Sequence, residues 1–300
     1  MNALAGKPQT VSEALAAGSR TCGAGGQGRR DAALLLQHVL RCNRAWLIAH
    51  PEHQLSSEDL QRFAELCERR ASGSPAAYLL GSAGFYGREF VVNESVLVPR
   101  PETEHLVDEA LAFLDKRIRR SGVATVLDVG VGSGAIACTI ACALEAVFVE
   151  GTDCSAAAIE IATLNARRLG VSERCRFSCG NLIAPVKDRS FDVILANLPY
   201  VPSGELPRPP AAAAFEPREA LDGGPDGLAA YRELMPQTGA LLKAGGLLLL
   251  EAAPPIACAL RSLAAEAFAG APIVVGMDYA GLARYVRVVA PEVRQAPAAK

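Results

Sequence analysis

The stretch Phe191–Tyr200 reads FDVILANLPY, an apolar run that stops abruptly at Asn197-Leu198-Pro199-Tyr200. Asn197 offers an amide oxygen, Leu198 a backbone carbonyl, Pro199 a rigid bend and Tyr200 a flat aromatic face. None is a strong acid, base or nucleophile, so the set suits holding a planar amide or amino group more than it suits hydrolysis. A nitrogen conjugated to a π-system is a poor nucleophile because its lone pair is delocalised. Two acceptors, the Asn197 side-chain oxygen and the Leu198 carbonyl, can bind its two hydrogens, draw it towards sp³ and aim the lone pair at a methyl donor. That is catalysis by orientation and electrostatics, with Tyr200 covering the plane of the group.

Two further constellations would serve the donor. Asp128-Val129-Gly130-Val131-Gly132-Ser133-Gly134 follows a strand and opens a helix; such glycines let a ligand lie against the backbone near free helix N–H groups. Alone this is a weak signal, equally open to a dinucleotide. Asp153 falls about twenty residues on, at the end of the next strand, where a carboxylate takes both ribose hydroxyls. These two features leave a dehydrogenase open. The tetrapeptide at 197–200 has no role in hydride transfer, and points to methyl transfer onto nitrogen.

The elements that must position these groups follow from periodicity. Val11–Ala17, Asp31–Arg41 and Glu58–Ala71 carry apolar residues at helical spacing, with Ser56 or Ser57 as a cap for the last. Residues 23–28, GAGGQG, read as a flexible loop, and Gly73-Ser74-Pro75 as the end of the helical part. Gly84–Val98 reads as a β-hairpin, followed by PRPETE and a helix from about Glu104 to Arg119 that Thr103 can cap. From Ala124 strands and helices alternate, the mark of a parallel sheet. Strands are expected at Ala124–Val129, Val147–Thr152, Cys175–Cys179, Phe191–Ala196 (buried on both faces), Leu247–Glu251, Ile273–Val275 and Tyr285–Val289. Helices are expected from Ala135, at Ala156–Leu169, near Asp226–Leu242 and at about Pro255–Phe268, with Ser203–Gly224 a long loop of the kind that covers a site.

Composition narrows the classes. The chain has 300 residues, half of them apolar, and a net charge of −2, so a sizeable core is available and no electrostatic footprint for long nucleic acid is present. Residues 1–18 lack a cationic start followed by an apolar core, and no apolar run approaches a membrane span. The nine cysteines show no CxxC pair and no zinc-like spacing with histidine, so no metal is expected and small buried thiols in a reducing cytosol are the reading. His38, His50, His53 and His105 have no ligand-spaced partners, and Trp46 reads as a core anchor. Arg100 and Glu102 read either as a clamp on substrate or donor or as a structural ion pair. Gly25-Gly26-Gln27 reads as a chance tripeptide in a glycine-rich stretch.

With these residues in view, the chain resembles the HemK/PrmC-type methyltransferases. The resemblance runs through AWLIAHPEHQLS, RRASGSPAAYLLG, VLVPRPETEHLV, DVGVGSGAIA, ANLPYVPSGEL, FEPREALDGGPDGL and LLKAGGLLLLE. It implies an α/β fold, a class I S-adenosylmethionine-dependent methyltransferase with a Rossmann-like seven-stranded sheet, and a small N-terminal all-helical domain joined by a β-hairpin. The implied domains are 1–80 for release-factor recognition, 81–103 as connector and 104–290 for catalysis, with 291–300 a disordered tail. The implied activity is methylation of the side-chain amide nitrogen of the glutamine in the Gly-Gly-Gln motif of peptide-chain release factors.

By this likeness Gly130, Val131, Gly132, Ser133, Gly134, Asp153, Asn181, Leu182 and Asn197 bind S-adenosylmethionine. Asn197, Leu198, Pro199 and Tyr200 hold the glutamine, joined by Arg100 and Glu102. The family usually reads Asn-Pro-Pro-Tyr, so Leu198 is expected to give the loop more freedom, and Asn181 stands where an aspartate is common. Adenine N6 methylation on RNA or DNA, and a catalytically impaired homologue, are the alternative readings. A cytoplasmic monomer without membrane contact is expected.

Overall fold

The computed structural model describes residues 9–23 and 25–292, which fall into two compact units. One comprises the chain up to Ser82 together with Pro207–Phe215; the other comprises Ala83–Leu206 and the chain from Glu216 onward. Most of the expected tail, from residue 293, lies outside the described residues.

The first unit is helical: α1 (Val11–Cys22), α2 (Gly26–Leu40), α3 (Arg44–Ala49), α4 (Ser57–Ala71) and α5 (Ala76–Leu80). Side-chain caps start three of them. Thr10 and Glu13 form a reciprocal capping box on α1, Asn43 accepts from the Trp46 N–H on α3, and Ser56 accepts from the Asp59 N–H on α4. Val11, Leu35, Leu36, Phe63 and Leu66 form the core. Trp46 packs on its edge, stacked on His50 with ring centroids 4.6 Å apart.

Two expectations fail here. Residues 26–28 are not loop but the first turn of α2, because Gly28 lets α1 and α2 meet closely: a Cβ there would lie 2.0 Å from the Gly23 carbonyl oxygen. Gln27 is then helical, its amide donating to Asp31 at 2.7 Å. The helical part also continues past Pro75, which serves as the N-cap of α5.

The hairpin is shorter than expected. Strands β1 (Ser82–Phe85) and β2 (Arg88–Val91) are joined by Tyr86-Gly87, both at positive φ (50° and 69°) as a two-residue primed turn requires. Residues 92–100 form turns and irregular chain rather than strand. A 3₁₀ turn, Pro101–Thr103, leads into α6 (Glu104–Ser121).

Seven strands then form one sheet in the order β5-β4-β3-β6-β7-β9-β8. They are β3 (Ala124–Val129), β4 (Val147–Asp153), β5 (Cys175–Cys179), β6 (Phe191–Ala196), β7 (Leu242–Glu251), β8 (Ile273–Met277) and β9 (Ala283–Val289). The first five are parallel, whereas β9 runs antiparallel to both β7 and β8. Helices α6, α7 (Ala135–Ala143) and α8 (Ala156–Arg168) share the core of one face with Val126, Val149 and Val193; α9 (Ala229–Leu241) and α10 (Pro254–Ala267) share the other with Leu127, Ile194 and Leu248. Every residue of β6 is buried, as a strand covered on both faces must be. Strand β7 begins five residues earlier than Gly245-Gly246 suggested, since Leu242 already pairs with Phe191 across an irregular register. No helix among the described residues is long and apolar enough to cross a membrane.

Opposite the glycine loop, at the start of β6, Asp192 carries a buried ion network. Its carboxylate accepts from Arg117 (2.8 Å), Lys243 (2.8 Å) and both the N–H and hydroxyl of Thr125 (2.9 and 3.0 Å). Burial alone would raise this carboxyl, but the bonds from Lys243, Thr125 and Arg117 outweigh it and hold it below the usual range. We therefore expect Asp192→Ala to lower unfolding free energy by about 2–4 kcal/mol in a denaturant titration. The wild-type contribution should be complete above about pH 4 and fade as pH falls through the depressed folded-state value.

Candidate active site

The register of the parallel strands brings four chain ends together. Thr152 pairs with Val129, Val129 with Ala196 and Ala196 with Leu250. The next residue on each strand is therefore Asp153, Gly130, Asn197 and Glu251, side by side at the carboxyl edge where open α/β sheets bind ligands.

One cavity at that edge gathers most of the residues singled out from sequence. Gly130, Val131, Gly132, Ser133, Asp153, Asn181, Leu182, Asn197, Leu198, Pro199 and Arg100 all line it. Gly134, Glu102 and Tyr200 do not. Gly134 caps α7 in the left-handed region, and a Cβ there would lie 3.2 Å from Ala162, so the helix packing there also needs glycine. Thr103, Phe85, Pro217 and Glu219 line the cavity as well and were not legible as site residues, because they come from segments distant in sequence and carry no local signal.

The glycine loop is pressed against the tetrapeptide. A Cβ on Gly130, at φ +76°, would lie 3.0 Å from Leu198 Cδ2 and 3.4 Å from the Asn197 carbonyl oxygen. Asp153 fixes the loop from the other side, its carboxylate accepting from the Gly132 N–H and the Ser155 N–H, both at 2.9 Å. Asn181 donates its amide to Glu233 on α9, which leaves its oxygen as the free acceptor. Asp128 is buried beneath the loop; burial pushes its carboxyl up to about 7.

Leu198 is tied down rather than freed. Its side chain is buried, and its N–H donates to the Tyr231 hydroxyl (3.3 Å), which in turn donates to the Glu251 carbonyl oxygen (2.7 Å). A proline at this position would have no N–H to give. The loop after the tetrapeptide closes over it: a Cβ on Gly223 would meet Tyr200 Cα at 2.7 Å and the Pro199 oxygen at 2.8 Å.

Arg100 and Glu102 do not pair with one another. Arg100 donates to Glu216 at 2.6 Å, and Glu216 also accepts the Val98 N–H at 3.1 Å, so this buried carboxylate from the FEPREALDGG stretch holds the connector. Glu102 lies 3.7 Å from Arg284 on β9. Thr103, the expected cap of α6, makes no capping bond; its hydroxyl donates to Glu251 at 2.6 Å and accepts from the Asn197 amide at 3.2 Å. Tyr200 reaches the same carboxylate at 3.4 Å. Burial, then the Glu251 charge, pushes the Tyr200 phenol well above its ordinary value, so it stays a neutral donor.

These residues fit S-adenosylmethionine. Asp153 can accept hydroxyls, the Asn181 oxygen can meet an amine, and the glycines leave space that any Cβ would fill. Thr152, in the same wall, has a buried hydroxyl oxygen with no hydrogen-bond partner in the protein. Sheet order, glycine loop, acid and tetrapeptide together define an S-adenosylmethionine-dependent methyltransferase. In agreement, residues 13–81 match the family described as PrmC N-terminal domain and residues 103–208 that described as methyltransferase small domain.

Among relatives, the release factor glutamine methyltransferase of Moorella thermoacetica is 40% identical over 274 residues, covering 91% of this chain and 95% of that protein. Its namesake in Neisseria gonorrhoeae is 38% identical, covering 86% of this chain and 93% of that protein. The chain belongs to the release factor glutamine methyltransferase family. Solved structures share the fold at low identity: a methyltransferase from Pyrococcus furiosus (18% identical, TM-score 0.50, covering 69% of this chain and 91% of that one) and the hMettl16 catalytic domain in complex with an RNA hairpin (10%, TM-score 0.52, 69% and 76%).

The Tyr231 hydroxyl serves two buried backbone groups. Tyr231→Phe should therefore cost about 1–3 kcal/mol of stability by leaving the Leu198 N–H unpaired, read from the denaturation midpoint at constant slope.

Proposed function

We propose that this enzyme methylates the side-chain amide nitrogen of the glutamine in the Gly-Gly-Gln tripeptide of peptide-chain release factors. The observation that carries the reading is the placement of Asn197 and Leu198 in the wall of the same cavity as Asp153 and the glycine loop. A neutral amide-holding tetrapeptide beside a nucleoside-type site fits transfer to a weakly nucleophilic nitrogen, and the family relationship supplies release factors as its bearer.

S-adenosylmethionine supplies an electrophilic methyl group on a sulfonium and leaves as the thioether. In our reading Asp153 binds the ribose hydroxyls, Asn181 and Leu182 flank the adenine, and Gly130-Val131-Gly132-Ser133 lie along the remainder, with Asn197 beside the methyl. Asn197 Oδ1 and the Leu198 carbonyl accept the two hydrogens of the glutamine amide and turn its lone pair towards the donor. Once the N–C bond forms, one of those protons leaves to solvent from the acceptor that holds it. Pro199 keeps the bend, and Tyr200, behind the cavity wall, ties the tetrapeptide to Glu251. Rather than clamping substrate directly, Arg100 shapes the wall through Glu216, and Glu102, outside the wall, pairs with Arg284. The domain boundaries at about 80 and 104 become functional ones here, the helical unit recognising the release factor and the sheet carrying the chemistry. We take the enzyme to work as a monomer in the cytoplasm, where release factors act.

The direct test is mass spectrometry of a purified release factor incubated with the protein and S-adenosylmethionine: one added methyl on the Gly-Gly-Gln glutamine is expected, and an unmodified glutamine with cofactor bound would overturn the substrate. Asn197→Ala should lower kcat by about 10²–10³ with cofactor affinity kept within about threefold by calorimetry. Asp153→Ala should instead weaken cofactor binding by about 10–100-fold.

A further inference from the structure

We propose that Thr103 and Glu251 form a positioning pair that sets which end of the Asn197 amide faces the substrate. The inference rests on the role just given to Asn197 and concerns how that residue is made to present oxygen rather than nitrogen.

An asparagine amide is nearly symmetric in shape, so packing alone does not choose its orientation; its hydrogen-bond partners do. At Asn197 the partner is Thr103, whose hydroxyl oxygen accepts from Nδ2 at 3.2 Å. A hydroxyl has one proton to donate, and Thr103 gives it to Glu251 Oε2 at 2.6 Å. An ionised carboxylate only accepts. Glu251 therefore fixes the direction of the Thr103 proton, and Thr103, left with lone pairs alone, can take only the NH₂ end of Asn197. The Oδ1 end is turned the other way, free to accept from a substrate amide.

The arrangement is built rather than incidental. Thr103 and Glu251 are each 4% exposed, lie 148 positions apart, and come together only because PRPETE runs past the end of β7. A buried carboxylate is costly unless bonded, and this one sits among groups on every neighbouring element. Tyr200 from the tetrapeptide lies 3.4 Å from Oε1, Tyr285 on β9 is its strand partner, and the Tyr231 hydroxyl on α9 binds its backbone oxygen. Burial, the largest influence, pushes its carboxyl up to about 7 against the bond from Thr103; Glu102 ahead of α6 adds to the rise, and Tyr200, with Arg284 on β9, opposes it. Protonated Glu251 could donate to Thr103; the Thr103 proton would then be free to point at Asn197, and the amide could turn its NH₂ towards the substrate. The productive orientation belongs to the ionised form, so turnover should fall as pH drops below neutrality.

The test measures kcat, both KM values and melting temperature for wild type, Thr103→Val, Thr103→Ser and Glu251→Gln, across about pH 6–9. Thr103→Val, equal in shape but unable to accept, should lower kcat by about 10–100-fold with both KM values within about threefold. Thr103→Ser should restore kcat to within about threefold of wild type, which filling space alone would not do. Wild-type kcat should show an acid limb near neutrality, and Glu251→Gln, which cannot ionise, should lack it. Wild-type kcat in Thr103→Val, or an unchanged acid limb in Glu251→Gln, overturns the inference while leaving the function intact. Should Thr103→Val melt early, the Glu251→Gln profile alone decides. Absence of methylation by wild type overturns the functional reading and the inference with it.

Discussion

Strands β4, β3, β6 and β7 end in step because Thr152, Val129, Ala196 and Leu250 are successive register partners, and every group of the site is positioned from that shared edge. Side chains alternate along a strand, so a slip of one residue would turn Asp153, Asn197 and Glu251 to the opposite face. The anchor at the start of β6 opposes such a slip, since Asp192 would lose its bonds from Arg117, Thr125 and Lys243. The strand preceding the tetrapeptide is thus the gauge that fixes the position of its amide.

Beyond the edge, the site is stiffened by hydrogen-bond donors gathered around acidic residues. Thr103 and Tyr200 donate to the Glu251 carboxylate and Tyr231 to its backbone oxygen, Glu216 gathers Arg100 and Val98, and Asp153 gathers the glycine loop. Each acid joins a segment near the cavity to another distant in sequence. Chemistry by orientation tolerates little play, and these bonds supply rigidity without placing a general base beside the reacting nitrogen.

Much of this could be read from residues alone. Strands β3 and β6 carry dense β-branched or apolar runs and β5 a short alternation of Cys, Phe and Cys with Arg and Ser; their limits follow directly. The cavity was legible wherever a motif sits on a strand end, as at Gly130, Asp153 and Asn197. What escaped depends on long-range contacts. Gly245-Gly246 looks like a turn, yet Leu242 pairs with Phe191 across the sheet. The glycines at 26–28 look flexible, yet Gly28 is where two helices touch. Thr103 stands where a cap belongs, but a buried carboxylate from the far end of the chain outcompetes the local bond, and Pro101–Thr103 is already helical in conformation. Arg100 and Glu102, two positions apart in PRPETE, found partners more than a hundred positions away.

The bond from the Leu198 N–H to the Tyr231 hydroxyl also bears on how this tetrapeptide could have changed over time. Proline and leucine at position 198 ask different things of residue 231. With proline in place, a hydroxyl there would serve the Glu251 carbonyl oxygen alone. With leucine in place, it also serves a buried donor that would otherwise be stranded. The exchange is therefore biased: leucine is better tolerated where the hydroxyl already stands, and losing the tyrosine afterwards costs about 1–3 kcal/mol. A single backbone hydrogen bond thus weights the sequence, so that the departure at 198 constrains a residue thirty-three positions away.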